Sequence, residues 1–190
     1  MSQRPPAGGD FNEERLWAPW RLAYIKGSDD SDAPPEPTAW QPGASQDCFV
    51  CRAAADYREQ AAADAHNLVA ARGSESIVIL NRFPYSNGHL LVSPLRHVAE
   101  LSQLTDAEHL EIMQTLSRFT QLLSEKVQAQ GFNVGLNLGR LAGAGVPGHL
   151  HWHLVPRWPG DHNFMPVTAG IRVIPQSLEE LWRLLHDQPS

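Results

Sequence analysis

Several features are scarce in this sequence of 190 residues, and each scarcity excludes a class of protein. Only two cysteines are present, which is too few for a framework of disulfides. The 21 aspartates and glutamates outnumber the 15 lysines and arginines, and the net charge of −6 argues against a protein that binds nucleic-acid polymers. No apolar run approaches the ~20 residues of a membrane span, and Met1–Asp10 lacks the apolar stretch of a secretory signal. We therefore expect a cytoplasmic protein whose partners include neither a membrane nor a nucleic-acid polymer.

The most informative stretch runs from Gly148 to Arg157, where His149, His151 and His153 alternate with apolar residues. Alternate side chains of a β-strand share a face, so the imidazoles would lie on one face and the apolar side chains on the other. The imidazoles could bind a metal ion, act as nucleophile and acid–base groups, or be incidental residues of a solvated face. Strict alternation of three histidines makes the incidental interpretation the least favoured.

Two weaker patterns accompany the histidines. Cys48 and Cys51 have C-x-x-C spacing, which indicates either a metal site or a redox dithiol. The segment from Gly139 to Gly148 is rich in glycine, and its backbone amides could bind phosphate oxygens.

The run His149–Val155 fits the pattern His-φ-His-φ-His-φ-φ, where φ is hydrophobic, and so resembles the histidine triad (HIT) superfamily of nucleotide hydrolases and transferases. Asn81, followed eight residues later by Gly-His and an apolar strand, resembles the nucleotide-binding block of the same family. The resemblance covers roughly residues 47–174. It implies that His151 is the nucleophile, forming a nucleotidyl-histidine intermediate, and that His153 binds phosphoryl or bridging oxygens and assists the leaving group.

The resemblance also implies a set of residues that bind the nucleotide and its phosphates, with Asn81 at the ribose or base edge. The set is Asn81, His89, Leu91, Asn137 and Gly145. Many members of the family carry Gln or Ser in the loop before the triad, at a position where this chain has Ala142–Gly145. The contact to the leaving group therefore stays open, and Arg140 is one candidate to replace it.

A metal site follows from the same resemblance. Several HIT branches bind zinc through two cysteines spaced as here, a histidine at the position of His97, and the first triad histidine; in this chain the ligands would be Cys48, Cys51, His97 and His149. Four such ligands make a closed tetrahedral site, which is structural. A redox dithiol would not need His97, so structural zinc is the favoured interpretation, and no organic cofactor is expected. A catalytic metal held by the triad itself is the remaining alternative.

The branch of the family can be narrowed further. The segments 15–21, 131–139 and 156–164 resemble bacterial HIT proteins similar to diadenosine tetraphosphate phosphorylases. This resemblance implies a nucleotidyl hydrolase or transferase that cleaves dinucleoside polyphosphates, with phosphate or water as the acceptor. The alternatives are a nucleoside phosphoramidase and a non-catalytic, zinc-stabilised nucleotide-binding module. In either case the ligand would be an adenine nucleotide or dinucleotide.

The order of predicted elements indicates an α+β domain with an antiparallel sheet, one long helix and a C-terminal helix. We predict strands over 67–72, 76–80, 89–93 and 132–138, a helix from the Thr105–Glu108 capping box to Gln130, and a closing helix over 177–186. The long helix would bury a stripe that includes Leu110 and Met113. Residues 1–46 are predicted to form an arm and linker with an aromatic segment at 15–26, and residues 47–190 to form the HIT domain, which the resemblance implies is a homodimer.

Overall fold

The computed structural model describes residues 35–161, 174 and 176–186. The aromatic segment at 15–26 lies outside these residues, and the boundary between residues 46 and 47 stays a prediction. The elements, in chain order, are α1 (Phe49–Ala54), α2 (Gln60–His66), β1 (Val69–Arg72), β2 (Ser76–Leu80), β3 (Leu90–Pro94), α3 (Asp106–Lys126), β4 (Gly131–Leu136), β5 (Trp152–Arg157) and α4 (Leu178–His186).

The five strands form one antiparallel sheet in the order β1-β2-β3-β5-β4. This confirms the predicted α+β class with its long helix and C-terminal helix. Strand β5 lies between β3 and β4, and its residue His153 faces Leu91 of β3 and Gly135 of β4 in the register. Every residue of β2 and β3 is buried. The sheet therefore places the end of the histidine motif in the interior of the domain rather than at an edge.

The long helix α3 begins as predicted. Thr105 Oγ1 accepts the Glu108 amide at 3.2 Å, and the Glu108 carboxylate accepts the Thr105 amide at 2.7 Å, which is a reciprocal capping box. Arg96 also donates two hydrogen bonds to this carboxylate, at 2.8 and 2.6 Å, although Glu108 is only 1% exposed. The hydrogen bonds from Arg96 lower the pKa of Glu108 to about 2. The ion pair ties the start of α3 to the loop that carries His97.

The prediction for the buried face of α3 is wrong at two positions. Leu110 is 59% exposed and Met113 is 60% exposed. The apolar residues that α3 buries are Ile112, Leu116, Phe119 and Leu123. Both stripes have helical spacing, and the buried one lies on the same face as Glu108, which pairs with Arg96.

The predicted end of α3 is also wrong. The helix stops at Lys126 rather than at the predicted Gln130, and Gln128 just beyond it adopts a left-handed φ of 55°. Gly131 is instead the first residue of β4.

The C-terminal helix closes the core as predicted. Leu181 and Leu185 are buried, and the Trp182 indole donates a hydrogen bond to the Val69 carbonyl at 2.8 Å. The helix thus covers β1. None of the helices in the described ranges is long and apolar enough to cross a membrane.

Candidate active site and metal centre

The three predicted histidines lie where β5 begins, but the strand starts later than the alternation suggests. Backbone pairing with the neighbouring strands begins at Trp152, so His149 and His151 precede the strand and only His153 belongs to it. The apolar partners still point as predicted, since Leu150 and Leu154 are buried in the main core. His151 is 5% exposed, and its ring centroid lies 5.2 Å from that of His153 in an edge-on arrangement.

The tautomer of His151 is fixed by its own backbone. Its Nδ1 lies 2.8 Å from the His149 carbonyl oxygen, which can only accept, so Nδ1 carries the proton and donates. In the neutral ring Nε2 then keeps its lone pair. A buried imidazole with an oriented, unprotonated nitrogen is the form that a nucleophile or general base requires.

A second chain of hydrogen bonds fixes His89 and His153. The Tyr85 amide donates to His89 Nδ1 at 3.0 Å, so the proton of neutral His89 lies on Nε2, which is 3.0 Å from His153 Nδ1. His153 Nδ1 accepts this hydrogen bond, which leaves the proton of neutral His153 on Nε2. Burial, with the adjacent His153 and then His151, lowers the pKa of His89 to about 3, and burial with His151 lowers the pKa of His153. His151 thus offers an unprotonated nitrogen, and the neighbouring His153 offers a hydrogen-bond donor.

Two of the predicted nucleotide-binding residues, Asn137 and Leu91, lie beside this pair. Asn137 Nδ2 lies 3.5 Å from His153 Nε2, so a proton on Nε2 requires the Asn137 amide to turn and present its oxygen. Leu91 is buried directly across from His153 in the sheet. Gly145 is exposed in the loop before the triad, with open space where a Cβ would be. Among the described residues, none accepts a hydrogen bond from the Gly145 amide.

Asn81 is built into the loop between β2 and β3. Its Oδ1 accepts the Phe83 amide at 2.9 Å, and its Nδ2 lies 3.2 Å from His89 Nδ1. The residue therefore shapes the turn and contacts His89; its predicted contact to a ribose or base stays a prediction.

The sequence reasoning missed Tyr85. Its ring lies 4.6 Å from the His89 ring and 5.7 Å from the His153 ring, nearly parallel to the latter at 21°. The position of a tyrosine four residues before His89, in a block already assigned to nucleotide binding, was the available signal.

A second cluster is built around His149, the first of the three histidines. The ligand atoms of Cys48, Cys51, His97 and His149 all lie within 4.8 Å of one another. His149 Nδ1 is 3.4 and 3.5 Å from the two sulfurs, and His97 Nδ1 is 3.2 Å from Cys51 Sγ and 3.3 Å from His149 Nδ1. Tetrahedral zinc with two sulfur and two nitrogen ligands separates its ligand atoms by about 3.3–3.8 Å. The donor set suits a tetrahedral metal ion, and the four distances that involve His149 or join His97 to Cys51 are close to those of such a site.

The protonation of the cluster fits a metal site better than a redox dithiol. His149 Nε2 donates to the Pro94 carbonyl at 2.9 Å, which directs the lone pair of Nδ1 into the cluster. Burial lowers the pKa of His149 to about 4, so the ring stays neutral. Burial also raises the pKa of the Cys51 thiol to about 11. A reactive dithiol needs a thiol with a lowered pKa, whereas a cation would itself stabilise both thiolates.

Comparison with known proteins decides the family. The HIT domain model matches residues 57–160. An AP-4-A phosphorylase of Mycobacterium tuberculosis is 38% identical over 178 residues, covering 90% of this chain and 82% of the relative. The chain belongs to the HIT domain family. A further relative is the asymmetrical bis(5'-nucleosyl)-tetraphosphatase of Schizosaccharomyces pombe, 34% identical over 45% of this chain and 47% of that protein.

A solved HIT structure also resembles the fold. The zinc-bound histidine triad family protein of Mycobacterium smegmatis superposes with a TM-score of 0.52 at 28% identity, over 62% of this chain and 80% of that protein. The relatives identify this chain as an enzyme of the HIT family. In this chain His149 belongs to both sites. Its ring lies in the cysteine–histidine cluster, and its carbonyl accepts the hydrogen bond of His151.

Proposed function

We propose that this HIT enzyme cleaves dinucleoside polyphosphates of the diadenosine tetraphosphate type by transferring a nucleotidyl group through His151. The observation that carries the proposal is the hydrogen bond from His151 Nδ1 to the His149 carbonyl, because it leaves a base on Nε2 beside a donor on His153. The activities named for the relatives support the choice of substrate.

In the first step His151 Nε2 attacks the α-phosphorus of the substrate. A nitrogen–phosphorus bond forms, the bond from phosphorus to the bridging oxygen breaks, and the leaving nucleotide departs with the electron pair. The proton on His153 Nε2 stabilises the charge that develops on that oxygen. His89 stays neutral because its pKa is low, and so it holds His153 in the tautomer that presents this proton.

In the second step an acceptor oxygen attacks the same phosphorus and His151 leaves with its electron pair. We propose phosphate as the acceptor, since a relative that covers 90% of this chain carries the name of a phosphorylase. Diadenosine tetraphosphate and phosphate would then give ADP and ATP, whereas water would give AMP and ATP. The Gly145 amide is one donor that could orient phosphate oxygens.

The test is turnover of diadenosine tetraphosphate by the purified chain with and without phosphate. Replacing His151 by Ala should lower kcat by at least about a thousandfold with the fold intact, because the nucleophile is lost. The matched control is His109→Ala, which removes an exposed histidine of α3 and should leave turnover unchanged.

Mass spectrometry after quenching in alkali should find the nucleotidyl group on the peptide that contains His151. Undiminished turnover by His151→Ala would exclude the mechanism, and preferential turnover of adenosine phosphoramidate would favour the phosphoramidase alternative.

We propose that the cysteine–histidine cluster binds a structural zinc ion. Cys48, Cys51, His97 and His149 would hold it, and bound zinc would supply no chemistry beyond fixing these four residues. The matching spacing of the ligand atoms supports this assignment. Two reduced, buried thiols also suit the reducing cytoplasm, which is the compartment that we propose.

We propose that two copies pair through β4, which is an edge strand of the sheet. An edge strand offers unpaired backbone groups to a second strand, and Val134 on β4 is exposed. Leu110 and Met113 of α3 are further exposed apolar residues that a partner could cover. Light scattering should give twice the mass of the chain, and a monomer at micromolar concentration would exclude this arrangement.

A further inference from the structure

Tyr85 is an aromatic residue that the proposed reaction does not yet use. It lies in the loop between β2 and β3, and this loop is held at several points. The Tyr85 amide donates to His89, and Ser86 Oγ donates to the Pro156 carbonyl at 2.8 Å. Gly88 has a φ of +73° and little room for a Cβ, which would lie 3.2 Å from Pro156. The tyrosine ring is therefore carried by an ordered turn.

The ring packs against the rings of His89 and His153. It lies within 4.6 Å of the His89 centroid and is nearly parallel to His153, yet the residue remains 49% exposed. Phe83, two residues earlier in the loop, is also exposed. Large aromatic surface at the edge of a polar site is a typical platform for a flat, apolar group of a ligand.

The tautomers indicate which part of the substrate would reach this ring. His153 presents its Nε2 proton, so the leaving oxygen and the polyphosphate attached to it lie on the His153 side. The base on the far end of that polyphosphate is the second nucleobase of the substrate. The group being transferred stays on His151, so the nucleoside that departs is the part of the substrate that extends past His153.

We propose that Tyr85 stacks on the nucleobase of the leaving nucleotide and thereby makes the enzyme prefer substrates with two bases. The inference rests on the proposed function and deepens it, because it assigns a subsite for the departing nucleoside. Stacking of a base on an aromatic ring is tolerant of base identity, so the preference would be for a second base of any kind.

The experiment compares two substrates that share the attacked phosphate. Diadenosine tetraphosphate has a leaving nucleotide with a base, whereas adenosine 5′-tetraphosphate has a leaving triphosphate with none. In Tyr85→Ala we expect the ratio of kcat/KM between the first and second substrates to fall by about tenfold, chiefly through KM for the first. Tyr85→Phe keeps the aromatic face and should keep the ratio. Tyr85→Leu keeps apolar bulk without that face and should behave as Tyr85→Ala.

The ratio separates stacking from a general disturbance of His89 and His153, because such a disturbance slows both substrates alike. An unchanged ratio in Tyr85→Ala and Tyr85→Leu would overturn the inference, even if both variants are slow. Should either variant be too slow to assay, the ratio of its calorimetric Kd values for non-hydrolysable analogues of both substrates gives the same comparison. Absence of turnover of diadenosine tetraphosphate by the unmodified enzyme would instead contradict the proposed function itself.

Discussion

The histidine motif predicts which side chains form the site, but not how their rings are protonated. The alternation of histidines predicted one shared face, and His151 and His153 do lie beside each other next to His89, whereas the ring of His149 lies among Cys48, Cys51 and His97. What the sequence could not predict is which nitrogen of each ring carries its proton. That depends on the His149 carbonyl and the Tyr85 amide, whose positions are set only when the chain folds.

The low pKa of His89 has a consequence for stability. In the unfolded chain a histidine binds a proton below about pH 6.5, whereas folded His89 stays neutral down to about pH 3. The unfolded state therefore binds more protons between these values, and stability falls as the pH falls from about 6.5 towards 3. From pH 7 to pH 5 this residue should account for a loss of about 2 kcal/mol.

Urea unfolding at pH 7 and pH 5 measures this contribution. The unmodified chain should lose about 2 kcal/mol more on acidification than His89→Gln, which has no group to titrate. His109→Gln is the control, because it removes an exposed histidine and should retain the full loss. Equal losses in the unmodified chain and His89→Gln would show that the burial of His89 is not the cause.

At the scale of elements, the sequence predicted correctly where helix α3 begins but not which of its faces is buried. The capping box of α3 is encoded by four neighbouring residues and was predicted correctly from Thr105 and Glu108. The buried stripe was not, because the rotation of a helix is decided by distant contacts such as that of Arg96 with Glu108. A second distant contact of α3, from Glu111 to the turn between β1 and β2, was equally invisible in the sequence.

The contact of Glu111 with that turn leads to a prediction. Glu111 Oε1 accepts hydrogen bonds from the Glu75 amide at 3.0 Å and from the Ser76 amide and hydroxyl at 2.9 and 2.7 Å. A Cβ at Gly73 would overlap this oxygen. Gly73→Ala should therefore displace the carboxylate and lower the free energy of unfolding by about 1–3 kcal/mol.

A double-mutant cycle in denaturant tests the mechanism. Glu111→Ala alone removes the same hydrogen bonds, so Gly73→Ala should cost much less in its presence, with a coupling of about 1 kcal/mol or more. Gly131→Ala is the control, because the nearest atom to its Cβ would be at an ordinary 3.9 Å. If the costs of Gly73→Ala and Glu111→Ala simply add, the carboxylate is not what the new methyl group displaces.

At the scale of the whole molecule, the cysteine–histidine cluster joins parts of the chain that are far apart in sequence. Its contacts connect residues 46 to 101 positions apart, from the start of α1 to the segment before β5. The resemblance to a family predicted these four residues, whereas spacing alone supplied only Cys48 and Cys51. No local pattern links a C-x-x-C pair to two histidines on other elements, so the full set needed either a relative or the fold.

The same geometry predicts the effect of removing the metal. His149 would be a ligand, and its carbonyl orients His151, so loss of the ion should loosen the nucleophile as well as the junction of α1 with β5. We expect a strong chelator to lower Tm by on the order of 10 °C and to abolish turnover, with both restored by added zinc.

His97→Ala should purify with little zinc and a Tm close to that of the chelated protein. His109→Ala should keep one zinc per chain, because it changes no ligand. A metal-free chain with unchanged Tm and a bond between Cys48 and Cys51 would establish the redox dithiol instead, since the four-ligand site requires both thiols reduced.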